Sequence, residues 1–202
     1  MKLFTTPGTC SLACTIALHE AGSAFTLERA DIRAKTTASG GDFMAINPKG
    51  AVPALEFAPG EVLTEGAAIM QYIADSQGGG GVVPATGTIE RARMQEAMHF
   101  IGAELHKAYG PLFNPAITPE AKAAQLKVID TKLTWLESRL ADGRAYLTGA
   151  DFTLADSYLF TITNWSQPMG HSLADFPMVE ALRGRVAARP AVQAAMQAEA
   201  AL

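Results

Sequence analysis

Thr6-Pro7-Gly8-Thr9-Cys10-Ser11 stands where a short strand pattern, Lys2-Leu3-Phe4-Thr5, gives way to a helical one. Pro7 and Gly8 turn the chain sharply out of the strand, and Ser11 is a residue type suited to the first turn of a helix. A helix start leaves backbone N–H groups unpaired and carries the positive end of the helix dipole. Both effects favour thiolate over thiol. Cys10 is therefore predicted to be a reactive group at a loop edge rather than a small apolar filler.

Working outward, a helix over residues 11–20 stops at Ala21-Gly22, and residues 24–30 alternate like a second strand. A unit that short implies a parallel pair joined by a right-handed crossover. After a polar, Gly-rich stretch come a short helical piece at 42–46 and the segment Asn47-Pro48-Lys49-Gly50-Ala51-Val52-Pro53. Pro53 cannot donate to a ladder and directly precedes the strand 54–57, so a cis Val52-Pro53 bond is predicted there. Ala58-Pro59-Gly60-Glu61 turns that strand into an antiparallel partner at 61–63, and Thr64-Glu65-Gly66 opens another helix that ends near Ser76. Gly78 to Gly81, followed by Val82-Val83-Pro84, read as a linker.

Beyond it the pattern is helical. An apolar stripe from Ile89 runs through Met94, Met98, Ile101, Leu105 and Ala108 to Tyr109-Gly110-Pro111. Thr118-Pro119-Glu120 supplies a cap, a proline at the first helical position and an acid against the dipole. Thr153-Leu154-Ala155-Asp156 reads as a capping box opening a central apolar helix with Tyr158, Leu159, Phe160, Ile162 and Trp165. Phe176-Pro177 starts one more helix, and Arg189-Pro190 breaks it. The domains are then 1–77, a linker at 78–87, and 88–202.

With 202 residues, 49% of them hydrophobic, the chain can bury a sizeable core in one or two domains. A net charge of −4 without any Lys/Arg run argues against nucleic acid and membrane surfaces as partners. The first residues lack the apolar run of a signal peptide, so a cytoplasmic protein is expected. Cys10 and Cys14 are four apart, which is neither a disulfide framework nor a C-x-x-C redox pair. Glu96 and His99 have the Glu-x-x-His spacing of di-iron bundles but lack the second copy such sites need, so no metal is expected.

The order βαβαββα, with a cysteine at the first helix start and Val-Pro before the third strand, resembles the thioredoxin fold. Together with the helical second half, four stretches resemble the bacterial beta class of glutathione S-transferases. These are Pro7-Gly8-Thr9-Cys10-Ser11-Leu12, Asn47-Pro48-Lys49-Gly50 with Val52-Pro53-Ala54-Leu55, Leu63-Thr64-Glu65-Gly66, and Glu104-Leu105-His106-Lys107. The expected fold class is an α/β thioredoxin-like N-terminal domain plus an all-α C-terminal domain. The resemblance implies a homodimer that conjugates glutathione, as co-substrate and without a bound cofactor, to small electrophiles in detoxification. It also implies a Cys10 able to form a mixed disulfide with glutathione, with thiol-disulfide or dehalogenation chemistry as further options. The alternative is a carrier or regulatory protein that binds glutathione without turnover.

Carried onto this chain, the resemblance makes Cys10, Ser11, His106 and Lys107 the catalytic candidates. Glutathione would meet Cys10, Lys35, Ala51, Val52, Glu65, Gly66, His99 and His106, and the electrophile would meet Tyr109, Phe113 and Trp165. The physics is compatible with these roles. An extended peptide can pair with the Ala51-Val52 edge, helix-start N–H groups at Gly66 suit its γ-glutamyl carboxylate, and Glu65 suits its ammonium. Lys35 would reach the glycyl carboxylate. His99 and His106, seven apart, are expected on one helical face. Relatives often carry a tyrosine near the end of the first strand, whereas this chain has Phe4-Thr5-Thr6, which moves thiol activation onto Cys10, Ser11 and His106. Ser157 stands where an apolar residue would staple Phe152, which must therefore pack elsewhere.

Overall fold

The computed structural model describes residues 1–79 and 81–202; Gly80, part of the expected glycine linker, lies outside the described residues. The chain divides into two compact units, residues 1–83 with 188–202 and residues 84–187. The contiguous helical domain 88–202 expected from sequence is thus corrected at its end, because the last helix belongs with the first unit.

In the first unit, β1 (Lys2–Thr5) leads through α1 (Leu12–Glu20) into β2 (Thr26–Asp31), and the two strands pair in parallel with Leu3 opposite Leu27. β3 (Thr36–Thr37) pairs antiparallel with β2. At two residues it is too short to leave an alternation in the sequence. The Asp42 carboxylate accepts the Met44 N–H at 2.8 Å and starts α2 (Phe43–Ile46). β4 (Ala54–Ala58) and β5 (Glu61–Thr64) form the expected hairpin, with a bulge between Glu56 and Ala58, and α3 (Gly66–Ser76) comes next. The sheet order is β3-β2-β1-β4-β5, and the Val52-Pro53 bond is cis.

Residues Leu12 to Leu18 of α1 are all buried, and the helix packs on α3 and on the last helix. That last helix, α9 (Pro190–Ala200), begins at the break at Arg189-Pro190. Proline there occupies the first helical turn, where its missing N–H costs nothing. Arg189 grips Glu20 at the far end of α1 in a two-pronged ion pair at 2.6 and 2.9 Å.

The second unit contains α4 (Ile89–Phe100), a π-helical turn Ile101–His106, α5 (Lys107–Tyr109), a 3₁₀ turn Gly110–Phe113, α6 (Pro119–Leu140), α7 (Leu154–Thr163) and α8 (Pro177–Ala187). Thr118 caps α6 by accepting the Ala121 N–H at 3.2 Å. Ile129, Leu133, Leu136 and Leu140 line its buried face. Every residue of α7 is buried, the polar Asp156, Ser157, Thr161 and Thr163 included. Its capping box forms, with the Thr153 N–H on the Asp156 carboxylate at 2.8 Å. Phe152 packs edge-on against Tyr146 with ring centroids 5.8 Å apart. Among the described residues no helix is long and apolar enough to cross a membrane.

Candidate active site

Thr6 to Ser11 leave β1 through a tight turn in which the Thr9 N–H returns to the Thr6 carbonyl at 3.2 Å. Pro7 precedes Gly8 at φ +77°, the arrangement of a type II turn and a conformation only glycine adopts cheaply. Beneath the turn lies a chain of hydroxyls. The Ser11 Oγ is 2.7 Å from both the Thr9 and Thr5 hydroxyl oxygens, and Thr5 donates to the Glu199 carboxylate at 2.9 Å. Thr15 donates to the same carboxylate oxygen at 2.9 Å, and the Gly8 N–H also bonds this carboxyl. Because Thr5 donates to Glu199, its contact with Ser11 is made by the Ser11 O–H, while the Thr9 hydroxyl lies 2.7 Å from Ser11 and donates to the Thr6 carbonyl at 2.8 Å.

Ser11 is therefore corrected from catalytic candidate to scaffold. Its side chain is fully buried and its hydroxyl is committed to this network, so it cannot face a bound thiol. Cys10 remains at the surface edge, partly buried, and its thiol donates to the Val52 carbonyl at 3.5 Å. The expectation of a thiolate does not hold for the free protein. Burial pushes the Cys10 pKa up to about 11, and the charges of Glu199 and Glu65 add to the rise. A helix terminus stabilises a nearby anion by about 0.3–1 kcal/mol, whereas desolvation can move a buried group by several pKa units, so burial wins. Cys14 lies fully buried on α1 and donates to the Gly66 carbonyl at 3.6 Å, tying α1 to the start of α3. Its pKa is raised well above the ordinary thiol range by burial, which leaves it inert.

The other residues expected to meet glutathione in this unit lie around the Val52 edge. The Val52 N–H makes no hydrogen bond among the described residues, so beside the Cys10 thiol a backbone donor is open to an extended peptide. Ala51 is exposed, with its carbonyl held by the Asn47 side chain at 2.6 Å. Lys35, at φ +61°, reaches back to the Gly50 carbonyl at 2.9 Å. Glu65 sits immediately before Gly66 at φ +72°, a left-handed backbone that costs a non-glycine residue on the order of 1–3 kcal/mol and gathers at functional sites. Its carboxylate pairs with Lys49 at 2.5 Å, an exposed ion pair that is cheap to exchange for another ammonium group.

In the second unit the π-turn carries His106. Such a turn inserts one residue into the helix and rotates the residues beyond it by about 100° relative to an unbroken helix. The expected shared face of His99 and His106 is corrected accordingly. His99 is exposed and bonds the Gln95 carbonyl of its own helix at 2.8 Å, while His106 turns inward, its Nδ1 3.0 Å from the Tyr158 hydroxyl. Burial lowers the His106 pKa, so its ring is neutral near pH 7. Lys107 beside it is exposed.

The His106 ring packs against Trp165 at 5.0 Å between centroids, and Phe113 meets the same indole edge-on at 5.0 Å. Phe113 is 49% exposed and Trp165 is 7% exposed, so the former presents an apolar surface and the latter backs it. Tyr109 is corrected out of the electrophile set: it is fully buried and its hydroxyl bonds Ser166 at 2.5 Å. Sequence reasoning missed Glu199 and Tyr158, since neither belongs to a local motif; only the unusual count of hydroxyls in Thr5, Thr9, Ser11 and Thr15 hinted at a buried acceptor.

One unit is a thioredoxin-like sheet with a thiol at its first turn, and the other is a helical unit with a neutral histidine beside aromatic rings. The chain belongs to the glutathione S-transferase family: the family model "Glutathione S-transferase, N-terminal domain" matches residues 1–75, and "Glutathione S-transferase, C-terminal domain" matches 119–198. It is 41% identical to glutathione S-transferase GstA of Escherichia coli O157:H7 over 98% of both chains. A sphingomonad glutathione S-transferase solved in complex with glutathione is 44% identical, covering 100% of both chains with a TM-score of 0.94. The bacterial beta-class enzyme of Sphingomonas chungbukensis is 42% identical over 100% of both chains, with a TM-score of 0.93.

Proposed function

We propose that this chain transfers the glutathione thiolate to small, apolar electrophiles as a cytoplasmic homodimer. The observation that carries the reading is the pairing of a thiol and an open backbone amide on one edge, Cys10 against Val52, beside a strained Glu65 at the start of α3. Val52 and Ala51 hold the peptide backbone, and Glu65 and Gly66 take the γ-glutamyl end. Lys35 takes the glycyl carboxylate, exchanging its bond to Gly50 for a full charge. Cys10, protonated, donates its S–H to the sulfur anion rather than attacking the electrophile. His106 donates a further hydrogen bond and Lys107 contributes positive charge, while Phe113 backed by Trp165 holds the electrophile.

Homodimerisation is supported by two exposed faces of opposite chemistry, one for each partner to offer the other. The first unit exposes the stacked Phe57–Tyr72 pair, rings 5.4 Å apart, on elements that also carry Glu56 and Asp75. The second offers a groove of about 230 Å³ lined by Trp135, Leu147, Arg93, Arg139 and Arg144. A Tyr72→Arg change that leaves the mass in solution at that of two chains would sink this arrangement.

Turnover of a chlorodinitrobenzene-type electrophile with glutathione tests the main reading. Retention on immobilised glutathione without turnover would favour the carrier alternative. With oxidised glutathione, Cys10 forms a mixed disulfide as the glutathione S–S bond breaks and one reduced glutathione leaves with the proton. Intact mass should show one adduct, absent from Cys10→Ala.

A further inference from the structure

The π-turn does more than carry His106 inward. It encloses the Tyr158 hydroxyl between two of its residues. On one side the His106 Nδ1 is 3.0 Å away. On the other, a methyl group placed on Gly102 would come within 3.2 Å of the same hydroxyl oxygen, tighter than ordinary van der Waals contact. Tyr158 lies on α7, every residue of which is buried, so its ring is held by the core of the unit. The His106 ring is fixed again from its flank by Trp165. Its Nε2 makes no hydrogen bond among the described residues.

A neutral imidazole has one N–H and one bare nitrogen, and the partner of one nitrogen decides the state of the other. Between a phenol and a neutral imidazole the phenol is the stronger acid and the ring nitrogen the stronger base, so the O–H donates to Nδ1. The hydrogen then resides on Nε2. We infer that Tyr158 is a positioning residue that holds His106 as the Nε2–H tautomer, making it a fixed hydrogen-bond donor toward anionic sulfur and not a base. This inference rests on the role proposed for His106 in transfer, and adds which of its nitrogens acts and what sets it. Gly102 belongs to the device, because a methyl group there would sit 3.2 Å from the hydroxyl oxygen, so that the hydroxyl or the turn must give by a few tenths of an ångström.

Long-range ¹H–¹⁵N spectra of the ¹⁵N-labelled full-length protein read the tautomer directly, and with four histidines in the chain a His106→Gln spectrum assigns the signal. The wild type should show the Nε2–H pattern. Tyr158→Phe, which keeps the ring and the packing, should give a mixture of tautomers and lower kcat/KM about fivefold, the typical weight of one hydrogen bond. Gly102→Ala, which crowds the hydroxyl without removing it, should move the spectrum the same way. An Nδ1–H wild type, or a Tyr158→Phe spectrum unchanged from it, overturns the assignment. A changed tautomer with unchanged kcat/KM overturns the positioning role. Because the spectra need no turnover, a wild type inactive toward every electrophile would count against the proposed function alone, and the tautomer would still be read.

Discussion

Two buried carboxyls, one in each unit, receive three donors apiece and reach that state by opposite routes. Asp156, at the start of α7, takes the Thr153 N–H, the Thr153 hydroxyl and the Leu147 N–H at 2.8–3.0 Å. Glu199, near the end of α9, takes the Thr5 and Thr15 hydroxyls and the Gly8 N–H from the opposite end of the chain. The first arrangement is written within ten residues, as a capping box. The second exists only once the chain has closed on itself. Asp156 secures a helix, whereas Glu199 secures the turn that carries Cys10, so a long-range carboxyl in this molecule serves the site and a local one serves the frame.

Removing the long-range carboxyl should have the largest effect. Glu199→Ala leaves three buried donors without an acceptor and should lower unfolding free energy by about 3 kcal/mol, read from the denaturant midpoint. The same variant should slow formation of the Cys10–glutathione adduct, since the turn loses its support. Normal adduct kinetics in a destabilised Glu199→Ala protein would break the distinction between frame and site.

Asp156 tests the local side through pH. Burial, working against its three donors, places its pKa at about 6 compared with the ordinary 3.8. A carboxyl whose folded pKa is raised binds its proton more tightly in the native state. Its contribution is then fully present below about 3.8 and is lost as pH rises through about 6. That interval corresponds to on the order of 3 kcal/mol. Asp156→Asn cannot titrate and turns an amide N–H toward Thr153. The wild type should therefore outlast it by a margin that widens by about 2 kcal/mol on going from pH 7 to pH 4. A margin that stays constant with pH would contradict the raised pKa.

Thr5→Val sharpens the contrast at smaller cost. It cuts the link from Ser11 to Glu199 while leaving Thr15 and Gly8 on the carboxyl, and should cost about 1–2 kcal/mol in urea unfolding. The mildest perturbation is chemical. Alkylation of Cys10 by iodoacetamide in the free protein should be slow at pH 7.5 and climb steadily to about pH 11, the pKa that burial imposes. A plateau below pH 8 would restore the thiolate.

Much of the frame could be read from short-range chemistry. Pro7-Gly8, the Thr118-Pro119 start, the Thr153/Asp156 box and the 58–61 hairpin each depend on residues a few positions apart, and each appears where its pattern stands. The family-like stretches singled out Cys10, Glu65 and His106, which the structure places at the first turn, at the left-handed start of α3 and on the π-turn. The misses share a cause. β3 is two residues long, and the π-turn keeps the apolar spacing of an α-helix, so neither leaves a periodic trace. Ser11 and Tyr109 have the chemistry of site residues, but burial assigns both to the interior.

The sequence by itself determined where helices and strands begin, that a thiol would stand at the first turn, and which family the chain resembles, because these depend on neighbours along the backbone. The tertiary structure decided that this thiol is protonated, that α9 returns to hold its turn, and that His106 faces Tyr158 instead of sharing a face with His99. Those outcomes depend on what is buried beside what, and desolvation and long-range hydrogen bonds arise only when distant segments meet.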